Sequence, residues 1–166
     1  QAFRELRPWV NKGWEMVLLA AELLNEQSPL NLKGPKFFSS NYHALSQAAL
    51  EKWGLKPQQL QDAIDDARRL AITSNRKQWF SLHQPFDKVP ERLNEFHNEG
   101  VEWGVLTTKA KKFTKELLDH FELKPSLLFG YEAGNKIDIL KNLSQGREIL
   151  GFVEDRRITL ESVLQT

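Results

Sequence analysis

The chain has 166 residues and a mass of 19.2 kDa, enough for one domain, or a domain with a small appendage, and for a sizeable core. Its 23 Lys and Arg nearly balance 22 Asp and Glu, so no excess of positive charge points to a nucleic-acid backbone as partner. Cys is absent, which excludes disulfides and thiolate metal sites and fits a reducing, cytoplasmic setting; the longest apolar run, Met16 to Ala21, is far short of the roughly 20 residues that span a bilayer.

Taken in order, the signals up to about residue 84 are helical. Phe3, Leu6 and Val10 share a face, interrupted by Pro8; Trp14, Val17, Leu18, Ala21 and Leu24 follow at helical spacing. Pro29, Gly34, Pro35 and neighbouring Ser residues predict a loop over 28–40. Asn41 is placed to cap a helix that runs to Trp53 and ends at Gly54. Pro57 then opens a helix to about Ile72, and Asn75 a last short one to Leu82.

From Pro85 onward the period changes repeatedly. The pattern predicts a helix over 90–100, a buried strand over 101–108, a helix over 110–121 and a strand over 126–130. A helix over 136–144, a strand over 148–153 and a helix over 158–164 follow. Alternating strands and helices imply an α/β fold with a parallel sheet. The expected organisation is a helical unit, residues 1–84, ahead of an α/β core, residues 85–166.

Ligands of open parallel sheets lie off the carboxyl ends of the strands. Three polar clusters are expected there: Thr107, Thr108 and Lys109 after one strand, Gly134, Asn135 and Lys136 where a helix begins, and Glu154 and Asp155 after another strand. Hydroxyls, an ammonium and paired carboxylates on one edge would suit an anionic substrate held with a hard divalent cation. Each cluster also has a plainer explanation. The Thr pair can be helix caps, and Lys109, Lys111, Lys112 and Lys115 the solvated face of a helix. Lys136 can be a surface lysine, and the acidic pair can be helix N-terminal charges. The four His show no metal-ligand spacing, no phosphate-cradling Gly-rich loop follows a strand, and the five Trp fit core packing better than base stacking.

The tracts LRPWVNKGWEM (6–16), GVLTTKAKKFTKELL (104–118), Gly134-Asn135-Lys136 before IDILK (137–141), and GFVEDRRITLESV (151–163) together resemble the haloacid dehalogenase superfamily. More narrowly, they resemble a hydrolase group of cyanobacteria and plant plastids. The resemblance implies a parallel-sheet core with a helical cap, and Mg²⁺-dependent hydrolysis of a small phosphorylated metabolite through an aspartyl-phosphate. Thr107 would bind the transferring phosphoryl group, and Lys136 would stabilise the nucleophile and the phosphoryl charge. Asp155 with Glu154 would hold Mg²⁺, and Thr108, Lys109, Asn135 and Arg7 would contact substrate. Trp14 and Glu15 would be further contacts from the cap. Thr159 stands where a second metal-side Asp often occurs. The superfamily's first motif, a strand followed by Asp-x-Asp, occurs nowhere in the 166 residues. The expectation is that it lies upstream of Gln1, in a central strand between those ending at Thr107 and Asp155, and that the chain also continues beyond its C terminus. The alternative is a non-catalytic protein of the same fold that binds a phosphorylated ligand or a protein partner.

Overall fold

A computed structural model describes residues 1–165 and divides into two compact units, Gln1–Asn75 and Arg76 onward. The first unit is helical throughout. It comprises α1 (Ala2–Leu6), a 3₁₀ turn (Arg7–Trp9), α2 (Gly13–Leu24), α3 (Pro29–Ser40), α4 (Tyr42–Trp53) and most of α5 (Pro57–Ser81). The apolar spacing of α2 explains its central place. Leu19 joins Leu6, Val10, Leu30 and Phe38 in one buried cluster, while Leu18 joins Ala49, Leu50 and Leu60 in another. Adjacent residues on a helix diverge by about 100°, so α2 serves two clusters at once.

Residues 29–40 are helical rather than the expected loop. Ser28 caps the start, its Oγ accepting from the Asn31 N–H at 3.1 Å, and Pro29 occupies the first turn, where its missing N–H costs nothing. Gly34 (φ 82°) then breaks the helix and Pro35 opens a second segment, so these residues punctuate helices instead of replacing them. Asn41 does not cap α4 with its side chain; its Nδ2 donates to the Phe37 carbonyl at 3.0 Å. Gly54 ends α4 as expected in the left-handed conformation (φ 61°). The Leu55 N–H bonds back to the Leu50 carbonyl at 3.1 Å, and Leu55 packs on the cluster that holds Leu50. Helix α5 kinks at Asn75 (φ −153°, ψ 80°), the residue at which the first unit ends.

The second unit carries the end of α5, then α6 (Val89–Asn98), β1 (Gly104–Leu106), α7 (Lys111–His120), β2 (Leu127–Phe129), a 3₁₀ turn (Tyr131–Ala133), α8 (Lys136–Ser144) and α9 (Arg157–Leu164). β1 and β2 pair in parallel, Gly104 opposite Leu127 and Leu106 opposite Phe129, with α7 as the crossover. Trp79, Phe80, Ala110, Phe113, Leu123 and Ile139 are buried in this unit, and the Phe80 ring stacks on His120 with centroids 3.9 Å apart. The molecule is thus α/β at the level of a parallel strand pair among helices. The larger parallel sheet expected from the sequence is not formed among the described residues. Residues 148–153 make no strand, and Leu150 and Val153 are exposed. The β-type sequence of this tract is satisfied only by a neighbouring strand, and the two-stranded sheet does not provide one. The five Trp also divide. Trp79 is buried, Trp14 packs on a core cluster and Trp103 is half-buried, but Trp9 and Trp53 are exposed at the surface, contrary to the expectation of core packing. No helix among the described residues is long and apolar enough to cross a membrane.

Candidate functional site

Parallel pairing sends the C-terminal ends of β1 and β2 in one direction, so the loops that follow them leave the sheet at the same edge. Thr107 comes directly after β1. Its backbone N–H donates to the Phe129 carbonyl at 2.9 Å, and its Oγ1 accepts from the Lys109 N–H at 3.1 Å. That hydroxyl turn is the local geometry a Thr adopts between a strand and a helix. Thr108 is exposed beside it and Lys109 is half-buried.

After β2 the chain makes the 3₁₀ turn, passes Gly134 in a positive-φ conformation (φ 95°) and enters α8. Asn135 is the N-cap, its Oδ1 accepting from the Ile137 N–H at 2.9 Å, so its side chain is committed to starting the helix. Lys136 is the first residue of α8. Its Nζ donates to Glu154 Oε2 at 2.5 Å, across 18 residues of sequence. The Glu154 side chain is only 6% exposed and that of Lys136 24%. Burial pushes the Glu154 carboxyl up, but the hydrogen bond from Lys136, a hydrogen bond with the Asp155 side chain, the Lys136 charge and the Arg156 N–H bonded to Oε1 together outweigh it and hold the group below the ordinary carboxylate range.

The structure therefore brings Lys136 and Glu154 into direct contact. It engages both Glu154 oxygens with protein donors and leaves Asp155 exposed. Among the described residues, no group of three or more His, Asp or Glu side chains converges as a metal site would. Mg²⁺ commonly takes one or two carboxylates and completes its shell with water and substrate phosphate. Of the two carboxylates, Glu154 is placed as the partner of Lys136, which leaves Asp155, hydrogen-bonded to Glu154 yet exposed, as the one that could reach such an ion.

Arg7, Trp14 and Glu15 belong to the first unit. Arg7 is exposed in the 3₁₀ turn. Glu15 is buried, and its Oε2 accepts from the Asn11 N–H and the Tyr42 hydroxyl, both at 2.8 Å. Its carboxylate thus secures the start of α2. One residue near the Thr107 edge escaped sequence reasoning. Glu132 accepts from the Lys111 N–H at 3.1 and 3.2 Å, at the first residue of α7. The signal for it was negative: the N-cap of α7 is Ala110, which has no side-chain acceptor, so the cap had to come from elsewhere.

The chain matches no protein-family model, no curated protein and no solved structure.

Proposed function

We propose that this chain forms the cap and part of the core of a Mg²⁺-dependent phosphohydrolase of the haloacid dehalogenase type, acting on a small phosphorylated metabolite. The observation that carries the proposal is the contact between Lys136 and Glu154. An ammonium at the strand-end edge, fixed by a buried carboxylate, is a preorganised positive charge of the kind that phosphoryl transfer needs. In this reading the Thr107 hydroxyl binds a phosphoryl oxygen, and Lys136 offsets the charge that develops on it. Lys109 and Thr108 contact substrate from the same loop. Asp155 would hold Mg²⁺, which supplies charge stabilisation on the phosphoryl oxygens when bound. The reading also requires a nucleophilic Asp whose aspartyl-phosphate is cleaved by water, a role that none of the residues named above fills.

The test is release of inorganic phosphate from small phosphate esters with Mg²⁺, using the protein that carries these 166 residues. Lys136→Ala and Asp155→Ala should each abolish release while the circular dichroism spectrum is kept; unchanged turnover in either variant rejects that residue's role. The absence of Asp-x-Asp from the 166 residues favours a second reading, a non-catalytic binder of a phosphorylated ligand. It predicts saturable phosphate binding with no turnover in the same assay.

A further inference from the structure

Thr107 and Lys136 come from different loops, and a phosphoryl group shared between them requires that the two loops keep one separation. Three hydrogen bonds join these loops. The Thr107 N–H reaches the Phe129 carbonyl at 2.9 Å, the Tyr131 N–H reaches the Lys109 carbonyl at 3.1 Å, and the Lys111 N–H reaches the Glu132 carboxylate at 3.1 and 3.2 Å. Only the last depends on a side chain. It lies four residues after Thr107 and four before Lys136, and it closes the N-terminus of α7, which Ala110 leaves uncapped.

Gly130 makes this approach close enough. It is buried with an ordinary backbone conformation (φ −85°), so space rather than flexibility demands glycine there. A Cβ would run into the Lys111 backbone N and the Glu132 carboxylate, and would lie 2.8 Å from Lys111 Cα.

We infer that Glu132 is a positioning residue of this site: by clasping the Lys111 N–H across the space left by Gly130, it fixes the loop bearing Lys136 against the loop bearing Thr107. The inference rests on the phosphohydrolase reading for what is positioned, and on the geometry for the clasp. The experiment uses the 166-residue chain with two readouts, amide hydrogen exchange and titration with inorganic phosphate in the presence of Mg²⁺. The variants are Glu132→Ala, Glu132→Gln (whose amide oxygen keeps an acceptor) and Lys136→Ala. In Glu132→Ala, exchange at Lys111, Ala133 and Gly134 should accelerate about tenfold and phosphate affinity should fall about tenfold, while Glu132→Gln restores most of both. Unchanged exchange in Glu132→Ala overturns the clasp. Faster exchange with unaltered phosphate affinity overturns the positioning role and leaves a structural cap. If phosphate binds Lys136→Ala as tightly as it binds the parent chain, the phosphohydrolase reading of this edge fails and the assigned role fails with it, whatever the exchange rates show about the clasp.

Discussion

Replacing Lys136 by Met removes the ammonium that faces Glu154 while keeping most of the aliphatic stem, so it isolates the ion pair. Breaking a fully buried pair by deleting one partner costs about 3–5 kcal/mol, because a desolvated charge is left behind. Here Glu154 is almost fully buried but Lys136 is 24% exposed, and the Arg156 N–H still serves Oε1 in the variant. Those two facts reduce the expected cost to about 1–2 kcal/mol at neutral pH, a factor of roughly 5–30 in a local opening equilibrium. The sign of its pH dependence follows from Glu154. In the wild type this carboxyl sits below its ordinary value of 4.5, so the pair's contribution is complete above that value and is lost as pH falls through the folded one. In Lys136→Met the pull of the ammonium is gone while burial and the hydrogen bonds with Asp155 and the Arg156 N–H remain, so acidification harms the variant less than the parent. The gap between the two proteins should therefore close as pH falls from 7 towards 3. Because the chain has two units, a single melting transition is a poor gauge, and amide exchange at Ile139, whose N–H bonds to the Asn135 carbonyl at 3.1 Å, reports on the local pair instead. A destabilisation of the same size at pH 7 and pH 3 would refute the argument, since it would mean that Lys136 acts through its stem and not through Glu154.

Three further outcomes follow from the same structure. Leu19→Ala removes a side chain that is 1% exposed in the α2 cluster and should cost the first unit about 2–5 kcal/mol in chemical denaturation, whereas Leu24→Ala, at an exposed position on the same helix, should cost under about 1 kcal/mol. The Tyr42 hydroxyl is pushed well above its ordinary value of 10.0, first by burial and then by the hydrogen bond to Glu15 and its charge. The phenol is therefore stabilised in its neutral form. That contribution is full below pH 10 and is lost as pH rises through the folded value, so the difference in alkaline absorbance between wild type and Tyr42→Phe should show no phenolate step near 10 while the first unit stays folded. Gly130→Ala places a methyl group against backbone that no rotamer change can move, and should destabilise the second unit by about 3 kcal/mol in denaturant titration; a neutral effect would mean that the loop shifts freely.

What could be read from the sequence was what neighbours along the chain decide. The spacing of Trp14, Val17, Leu18, Ala21 and Leu24 names α2 because helical periodicity is local, and Gly54 marks the end of α4 because few other residues tolerate its left-handed backbone. The error over 28–40 came from the same kind of signal. Pro29 and Pro35 occupy the first turns of helical segments, where Pro is tolerated, and only Ser28 as a cap distinguishes that arrangement from a loop. At the candidate site, the placing of Lys136 and Asn135 at a helix start was legible. The pairing of Lys136 with Glu154 was not, since it depends on a contact across 18 residues, and Glu132 was hidden for the same reason, 21 residues from the N–H it caps.

The tract 148–153 shows the other side of this division. Its apolar and β-branched residues specify a backbone conformation but not a hydrogen-bond partner, and a strand exists only as one member of a pair. β1 and β2 find each other because α7 returns the chain to the same edge in register. After α8 the chain reaches residues 148–153 without entering that register, and Val153 is left 99% exposed. Glu154, the next residue, is nevertheless drawn into burial by Lys136. The ion pair, not the sheet, therefore anchors this end of the tract. This is why weakening the Lys136 contact should loosen residues 152–156 first, and why amide exchange there, compared with exchange in α7, separates an anchoring role for the pair from general destabilisation of the second unit.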